Sequence, residues 1–125
     1  MRSKVLLASA ILFLLTFISC GGNPEAVAQT TTGGDVGRGS AAISRYGCGS
    51  CHIIPGISGA TGLVGAPLSG IANRIYIAGV LRNTPDNMIR WIEDPHAVDD
   101  KTVMPNLGVT HQDAIDIAGY LYTLK

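Results

Sequence analysis

Cys48-Gly49-Ser50-Cys51-His52 constrains this chain more than any other stretch. Two thiols three residues apart, followed at once by an imidazole, form the attachment signature for c-type haem. At that spacing both thiols can add to the two vinyl groups of one porphyrin, and the histidine is then held beneath the iron as an axial ligand. Three other uses of two cysteines fit less well. A redox-active Cys-x-x-Cys needs a strand before it and a helix starting at it, whereas Ser40 to Tyr46 reads as the end of a helix. Structural zinc takes four protein ligands, usually from two knuckles, and there is no second cysteine pair. A disulfide between Cys48 and Cys51 would close a very small loop.

The remaining cysteine, Cys20, belongs to a different part of the chain. Arg2 and Lys4 precede an apolar run from Val5 to Ile18. That run is too short to span a bilayer comfortably and suits the apolar region of a signal peptide. Phe17-Ile18-Ser19-Cys20 resembles a bacterial lipobox, in which the cysteine is lipidated and becomes the mature N-terminus. Cys20 lies directly after the apolar run, where a lipidated cysteine should be, so residues 1–19 read as the signal peptide. Cleavage after Ala28, in Ala26-Val27-Ala28, is the alternative. Either way the protein is expected outside the cytoplasmic membrane, lipid-anchored at Cys20 or free in the periplasm. Residues 20–34 contain almost no large apolar side chain and read as a flexible tether. Residues 35–125 are the expected folded domain.

What remains is one small domain, of a size at which burial is only moderate. Aromatic residues make up 6% of the chain, which fits a domain whose largest buried object is not a side chain. Without Arg2 and Lys4 the chain has seven basic and nine acidic residues. That is not the balance of a nucleic-acid binder, and no lysine-rich face is present to steer an acidic partner. A first helix is expected from about Asp35, its N-cap, to Tyr46. Gly39 and Ile43 share one face of it. A mid-helix glycine costs up to ~1 kcal/mol relative to alanine, so the close approach of another helix is expected there. A loop rich in glycine and proline follows His52, and Ile71 to Leu81 is a short helical or extended segment. In it, Arg74 is either an ordinary solvated arginine or a partner for a haem propionate. The next helix starts at Thr84-Pro85 and ends at Asp94-Pro95, with Met88, Trp91 and Ile92 on one face. Trp91 reads as core, and its indole N–H needs an acceptor when buried; a propionate could serve. Residues 94–102 read as an exposed loop. Met104-Pro105 lies in a stretch without periodicity. The last helix starts at Thr110, with Asp113 at the capping-box position and an apolar face of Ala114, Ile117, Ala118, Leu121 and Leu124.

The attachment motif, the turn Gly65 to Gly70, Met104-Pro105 and a terminal helix ending Gly119-Tyr120-Leu121 come in the order of class I cytochrome c. Asn83 to Asn87, Trp91-Ile92 and Asp94-Pro95 look especially like the cytochrome c domain fused to subunit II of some bacterial haem–copper oxidases, without the copper-binding cupredoxin part. The resemblance implies an all-α cytochrome c fold of three to five helices around one covalent haem c. It implies thioethers at Cys48 and Cys51, His52 as proximal ligand and Met104 as distal ligand. His96 and His111 are the alternatives to Met104. It implies that a backbone carbonyl from the loop before the Leu-x-Gly turn holds the His52 ring, with Ala66 where a proline is usual. It implies that Gly39 and Ile43 pack against Ile117 and Tyr120. His/Met ligation raises the reduction potential, and filling both axial positions denies the iron to oxygen and peroxide. The expected function is therefore one-electron transfer in a respiratory or related chain, without enzymatic chemistry. The expected partners are a terminal oxidase, a reductase or an upstream cytochrome complex. Two other readings are a haem subunit tethered in such a membrane complex, and a small peroxidase or gas-binding protein with an open axial site.

Overall fold

The computed structural model describes residues 22–125; the expected signal peptide and Cys20 lie outside them. Among the described residues there are five helices: α1 (Pro24–Thr32), α2 (Val36–Arg45), α3 (Pro85–Glu93), α4 (Pro95–Val98) and α5 (His111–Leu121). Short polar side chains start each of the three that build the core. Asp35 accepts from Arg38 N–H, Thr84 from Asn87 N–H and Thr110 from Asp113 N–H, each satisfying a donor that the first turn leaves free. The start points expected from the sequence hold.

The central contact is α2 against α5, and α3 packs on α5 as well. Gly39 lets the first pair meet. A Cβ at Gly39 would lie on the Asp116 carbonyl, 2.7 Å from its carbon and 3.1 Å from Tyr120 Cβ. Beyond that crossing Ile43, Trp91, Ile92, Ile117 and Leu121 form one buried cluster.

Asp116 sits inside this helix pair at 1% exposure. Its carboxylate accepts from Arg38 Nε (2.7 Å), Arg38 Nη2 (3.0 Å), Asp35 N–H (2.8 Å) and Gln112 Nε2 (3.3 Å), so the buried charge is fully partnered. The Arg38 guanidinium, ahead of the other donors, holds the Asp116 carboxyl below the usual carboxylate range. A carboxyl depressed in the folded state stabilises the fold above its unfolded pKa of about 4 and loses that contribution as pH falls through the folded value. Asp116→Asn is therefore expected to lower stability at pH 7 by about 1–3 kcal/mol, the cost of replacing a buried charge-assisted acceptor by a neutral amide. It should also flatten the acid side of the stability–pH curve. Denaturant titrations between pH 7 and pH 3 check both; a variant with an unchanged acid slope would show that Asp116 does not carry it.

Three segments differ from the sequence expectation. Residues 24–32 are helical rather than a tether. Asn23 caps the helix, Pro24 opens it, and Gly33 ends it with φ 76°. Ala28 is buried and α1 rests on α5, so packing rather than composition decides its state. Ile71 to Leu81, expected to be helical or extended, is both, with a 3-10 turn at Ile71–Asn73; what differs is that residues 76–82 fold back as a small antiparallel hairpin, Tyr76–Ile77 paired with Leu81–Arg82, turning through Ala78 and Gly79, both at positive φ. Within the expected loop after Asp94, Pro95–Val98 is one helical turn that Asp94 caps through Ala97 N–H. At the C-terminus Leu124 lies beyond α5, half-buried, and its carbonyl accepts from Ala72 N–H (3.0 Å).

Candidate functional site

The attachment motif starts where α2 stops. Gly47, at φ 71°, turns the chain out of the helix, and Cys48–Ser50 form one 3-10 turn. The following loop is laced back onto the motif: Gly62 N–H donates to Gly49 O (3.0 Å), Gly65 N–H to Cys51 O (2.7 Å) and Leu68 N–H to Ile53 O (2.9 Å). This lacing carries Ala66 to His52. The His52 Nδ1 lies 2.7 Å from Ala66 O. A carbonyl only accepts, so Nδ1 carries the proton and, in the neutral ring, Nε2 holds the free lone pair. A metal-ligating histidine needs this tautomer. Gly65 lets the backbone cross the ring closely, since a Cβ there would sit on the imidazole. The carbonyl that the resemblance implied is thus in place.

Cys48, Cys51, His52 and Met104 all line one cavity of about 630 Å³. Its walls come from every part of the core: Ile43 and Tyr46 from α2, Met88 and Trp91 from α3, Ile117 and Leu121 from α5. The size falls within the range of about 300–1,000 Å³ of cofactor pockets, and the predominantly apolar lining with a few polar groups is also typical of them. Both thiols are free. Burial pushes the Cys48 thiol up, the opposite of an activated redox thiolate, and only a single 3-10 turn, not an α-helix, starts at Cys48. Among the described residues no three of His, Cys, Asp or Glu are grouped to hold a bare metal ion, which disfavours the zinc alternative.

The structure separates the proposed sixth ligands. Met104 lies in the irregular loop, half-buried, its N–H donating to Thr102 Oγ1 (3.2 Å). His96 and His111 are exposed and neither lines the cavity; His111 Nδ1 is paired with Glu93 Oε1. Trp91 is buried against the cavity, as expected of a core residue. Arg74 lines it too, but its Nη2 donates to Pro67 O and to Ser69 O (3.1 Å), so part of the guanidinium is committed to shaping the loop that carries Ala66.

Met88 and Tyr46 are further wall residues. In the sequence Met88 shows only a place on a helix face. Tyr46 extends the Gly39/Ile43 stripe by one more helical step, a signal that was available. Its hydroxyl donates to Asp113 Oδ2 (2.8 Å), and the Arg45 guanidinium lies 5.2 Å from its ring centroid while pairing with Asp113. The Tyr46 and Thr110 hydroxyls and Arg45 hold the Asp113 carboxyl below the usual range. This cluster fixes Tyr46, the cap of α2 two residues before Cys48, to the start of α5.

No family model and no solved structure matches the chain. It is similar to the cytochrome c oxidase subunit 2 of Alkalihalophilus pseudofirmus, with 32% identity over 80 residues, which is 62% of this chain. The match spans only 22% of that protein. The similarity gives a loose link to a terminal oxidase.

Proposed function

We propose that the chain is a single-haem c-type cytochrome that passes one electron at a time in a bacterial respiratory or related chain. One observation carries the reading: Cys48, Cys51, His52 and Met104 all line one large apolar cavity, and the His52 Nδ1 is engaged by Ala66 O, which leaves Nε2 free. Haem, when bound, supplies the one-electron couple. Cys48 and Cys51 hold it covalently, His52 and Met104 are its ligands, and the walls from α2, α3 and α5 keep water away. A thioether and a low-polarity wall both favour the ferrous state, which raises the potential. Ala66 O keeps the His52 ring from turning. The roles of Arg74 and Trp91 toward the propionates belong to this proposal.

The similarity to an oxidase subunit favours a terminal oxidase complex as partner, and with it a place at the outer face of a membrane. Lipidation at Cys20 would fix it there. No helix among the described residues is long and apolar enough to cross a membrane. If Cys20 carries the anchor, only three residues separate it from α1, so the domain is held close to the bilayer instead of on a long tether.

A visible spectrum and intact mass of the mature protein test the proposal together. One covalent haem and, with lipidation, an acyl mass on Cys20 are expected. The ferric protein should show the weak sulfur-to-iron band at the red edge of the spectrum. Met104→Ala should abolish that band and open the ferrous protein to carbon monoxide, whereas His96→Ala and His111→Ala should leave both properties unchanged. A band that survives Met104→Ala removes Met104 from the site.

A further inference from the structure

The loop that carries Ala66 is irregular, and its first end is tied to the attachment motif. Gly65 N–H donates to Cys51 O (2.7 Å) and Leu68 N–H to Ile53 O (2.9 Å). Beyond Gly70, at φ 68°, the chain makes the single 3-10 turn Ile71–Asn73 and then enters the hairpin. Asn83 holds that far end. Its Nδ2 donates to Ile71 O (2.8 Å) and to Arg74 O (2.9 Å), and its N–H donates to Ile75 O (2.9 Å). Both partners of Nδ2 are carbonyls, which only accept, so the orientation of the amide is fixed and Oδ1 must face a donor. The Tyr122 hydroxyl is that donor, at 2.8 Å. Burial pushes the Tyr122 phenol up, which keeps its proton in place. Asn83 directly precedes Thr84, the cap of α3, and Tyr122 caps α5. The amide thus ties an irregular loop to two core helices. Neither Asn83 nor Tyr122 lines the cavity, so whatever fills it does not compete for these bonds.

We propose that Asn83, braced by Tyr122, is a positioning residue for the iron's proximal ligand: it holds the far end of the loop so that Ala66 O stays on His52 Nδ1. The inference rests on the haem reading above. The path is continuous. Asn83 fixes Ile71 O, Ile71 N–H donates to Leu68 O (3.2 Å), and Leu68 is two residues from Ala66. A loop anchored at one end swings about that anchor. Anchored at both, it holds Ala66 O 2.7 Å from Nδ1. The partner behind a metal-ligating histidine fixes its tautomer and ring orientation, and losing it lowers metal affinity or activity about 10–100-fold. Asn83 acts one step further back, through the backbone, so its effect falls at the lower end of that range. Loops with few packed contacts open more readily than the helices around them. The three side-chain bonds of Asn83 are what restrains that opening here.

The test uses the full-length, haem-loaded protein in its ferrous state. Deuterium exchange is followed by nuclear magnetic resonance at the His52 Nδ1–H and at the Leu68 and Ile71 amides, with the Ile43 amide of α2 as reference. Asn83→Ala should speed exchange at His52, Leu68 and Ile71 about tenfold relative to Ile43. It should also move the Nδ1–H resonance in the direction of a weaker hydrogen bond. Tyr122→Phe deletes one hydroxyl and keeps the ring, so it should act at the same places about threefold; it decides the matter alone if Asn83→Ala does not take up haem. Thr84→Ala is the control. It removes the α3 cap beside Asn83 without touching the loop bonds, so it should lower stability and leave the exchange ratios at their wild-type values. Variants that speed exchange equally at all four positions, or that leave the His52 Nδ1–H at its wild-type rate and resonance, would overturn the proposal. A wild-type protein in which His52 does not bind iron would overturn the haem reading itself, a separate outcome read from its spectrum before any variant is made.

Discussion

Cys48→Ala with Cys51→Ala, produced in a host that exports the chain and matures c-type cytochromes, is expected to yield no covalent haem and no cooperatively folding domain. The first half follows from the thioethers. The second follows from the cavity. Ile43, Trp91, Ile117 and Leu121 belong to the buried cluster and also face the space of about 630 Å³. An apolar cavity left unfilled costs about 24 cal/mol per Å³, so even if half of this one collapses the loss is roughly 8 kcal/mol. A small domain has about 5–15 kcal/mol of stability in all. The helix caps and the α2–α5 crossing survive the substitution but cannot close that gap. Haem staining on a denaturing gel, intact mass and a thermal melt by circular dichroism read the three consequences. Each single variant keeps one thioether and should keep the fold. A double variant that still melts cooperatively without haem would show that the cavity is not the keystone of the core.

The parts legible in the sequence are those whose signals are local. Asp35, Thr84-Pro85 and Thr110 cap three helices where the sequence places them, because capping involves residues two or three apart. The apolar faces around Ile43, Trp91 and Ile117 follow from periodicity. The His52 support follows from the family resemblance, which implies a carbonyl from the loop before the Leu-x-Gly turn, and Ala66 supplies it. What escaped depends on contacts distant in sequence. The composition of Pro24–Thr32 resembles a linker, and the segment is helical because Ala28 finds cover and α5 lies beside it. The hairpin escaped because Ala78-Gly79 is a poor turn signal. An alanine at φ 50° is unusual, and Asn-Gly or Asp-Gly is the normal mark of such a turn. Asp116 escaped for the same reason as α1. An aspartate in mid-helix reads as solvated, and its arginine is 78 positions away.

Gly39→Ala and Gly37→Ala, two substitutions two residues apart in the same helix, are expected to act in opposite directions. Helix propensity alone predicts the same gain for both, about 1 kcal/mol, because alanine loses less backbone entropy than glycine. Packing separates them. At Gly37 a new Cβ would meet only the Asp35 carboxylate oxygen at 3.3 Å, the end of a side chain that can move by a few tenths of an ångström. At Gly39 it would meet the Asp116 carbonyl and would lie 2.7 Å from a backbone carbon, so a whole helix must shift. Forced overpacking costs about 1–3 kcal/mol and sometimes more, and here it also strains the Arg38–Asp116 bonds that span the same crossing. Gly39→Ala should therefore lower stability by about 2 kcal/mol or more despite its better propensity, and Gly37→Ala should be neutral or stabilising. Denaturant midpoints of the haem-loaded proteins give both signs. The crossing also sets the spacing of the cavity walls, since Ile43 and Tyr46 lie on one side of it and Ile117 and Leu121 on the other. Prying α2 from α5 should thus disturb the iron site from a distance: Gly39→Ala should weaken the sulfur-to-iron band and speed ligand exchange at Met104, while Gly37→Ala should change neither. Equal and favourable effects of the two alanines would mean that the helices have room at Gly39. The close crossing would then not be what places the walls around the haem.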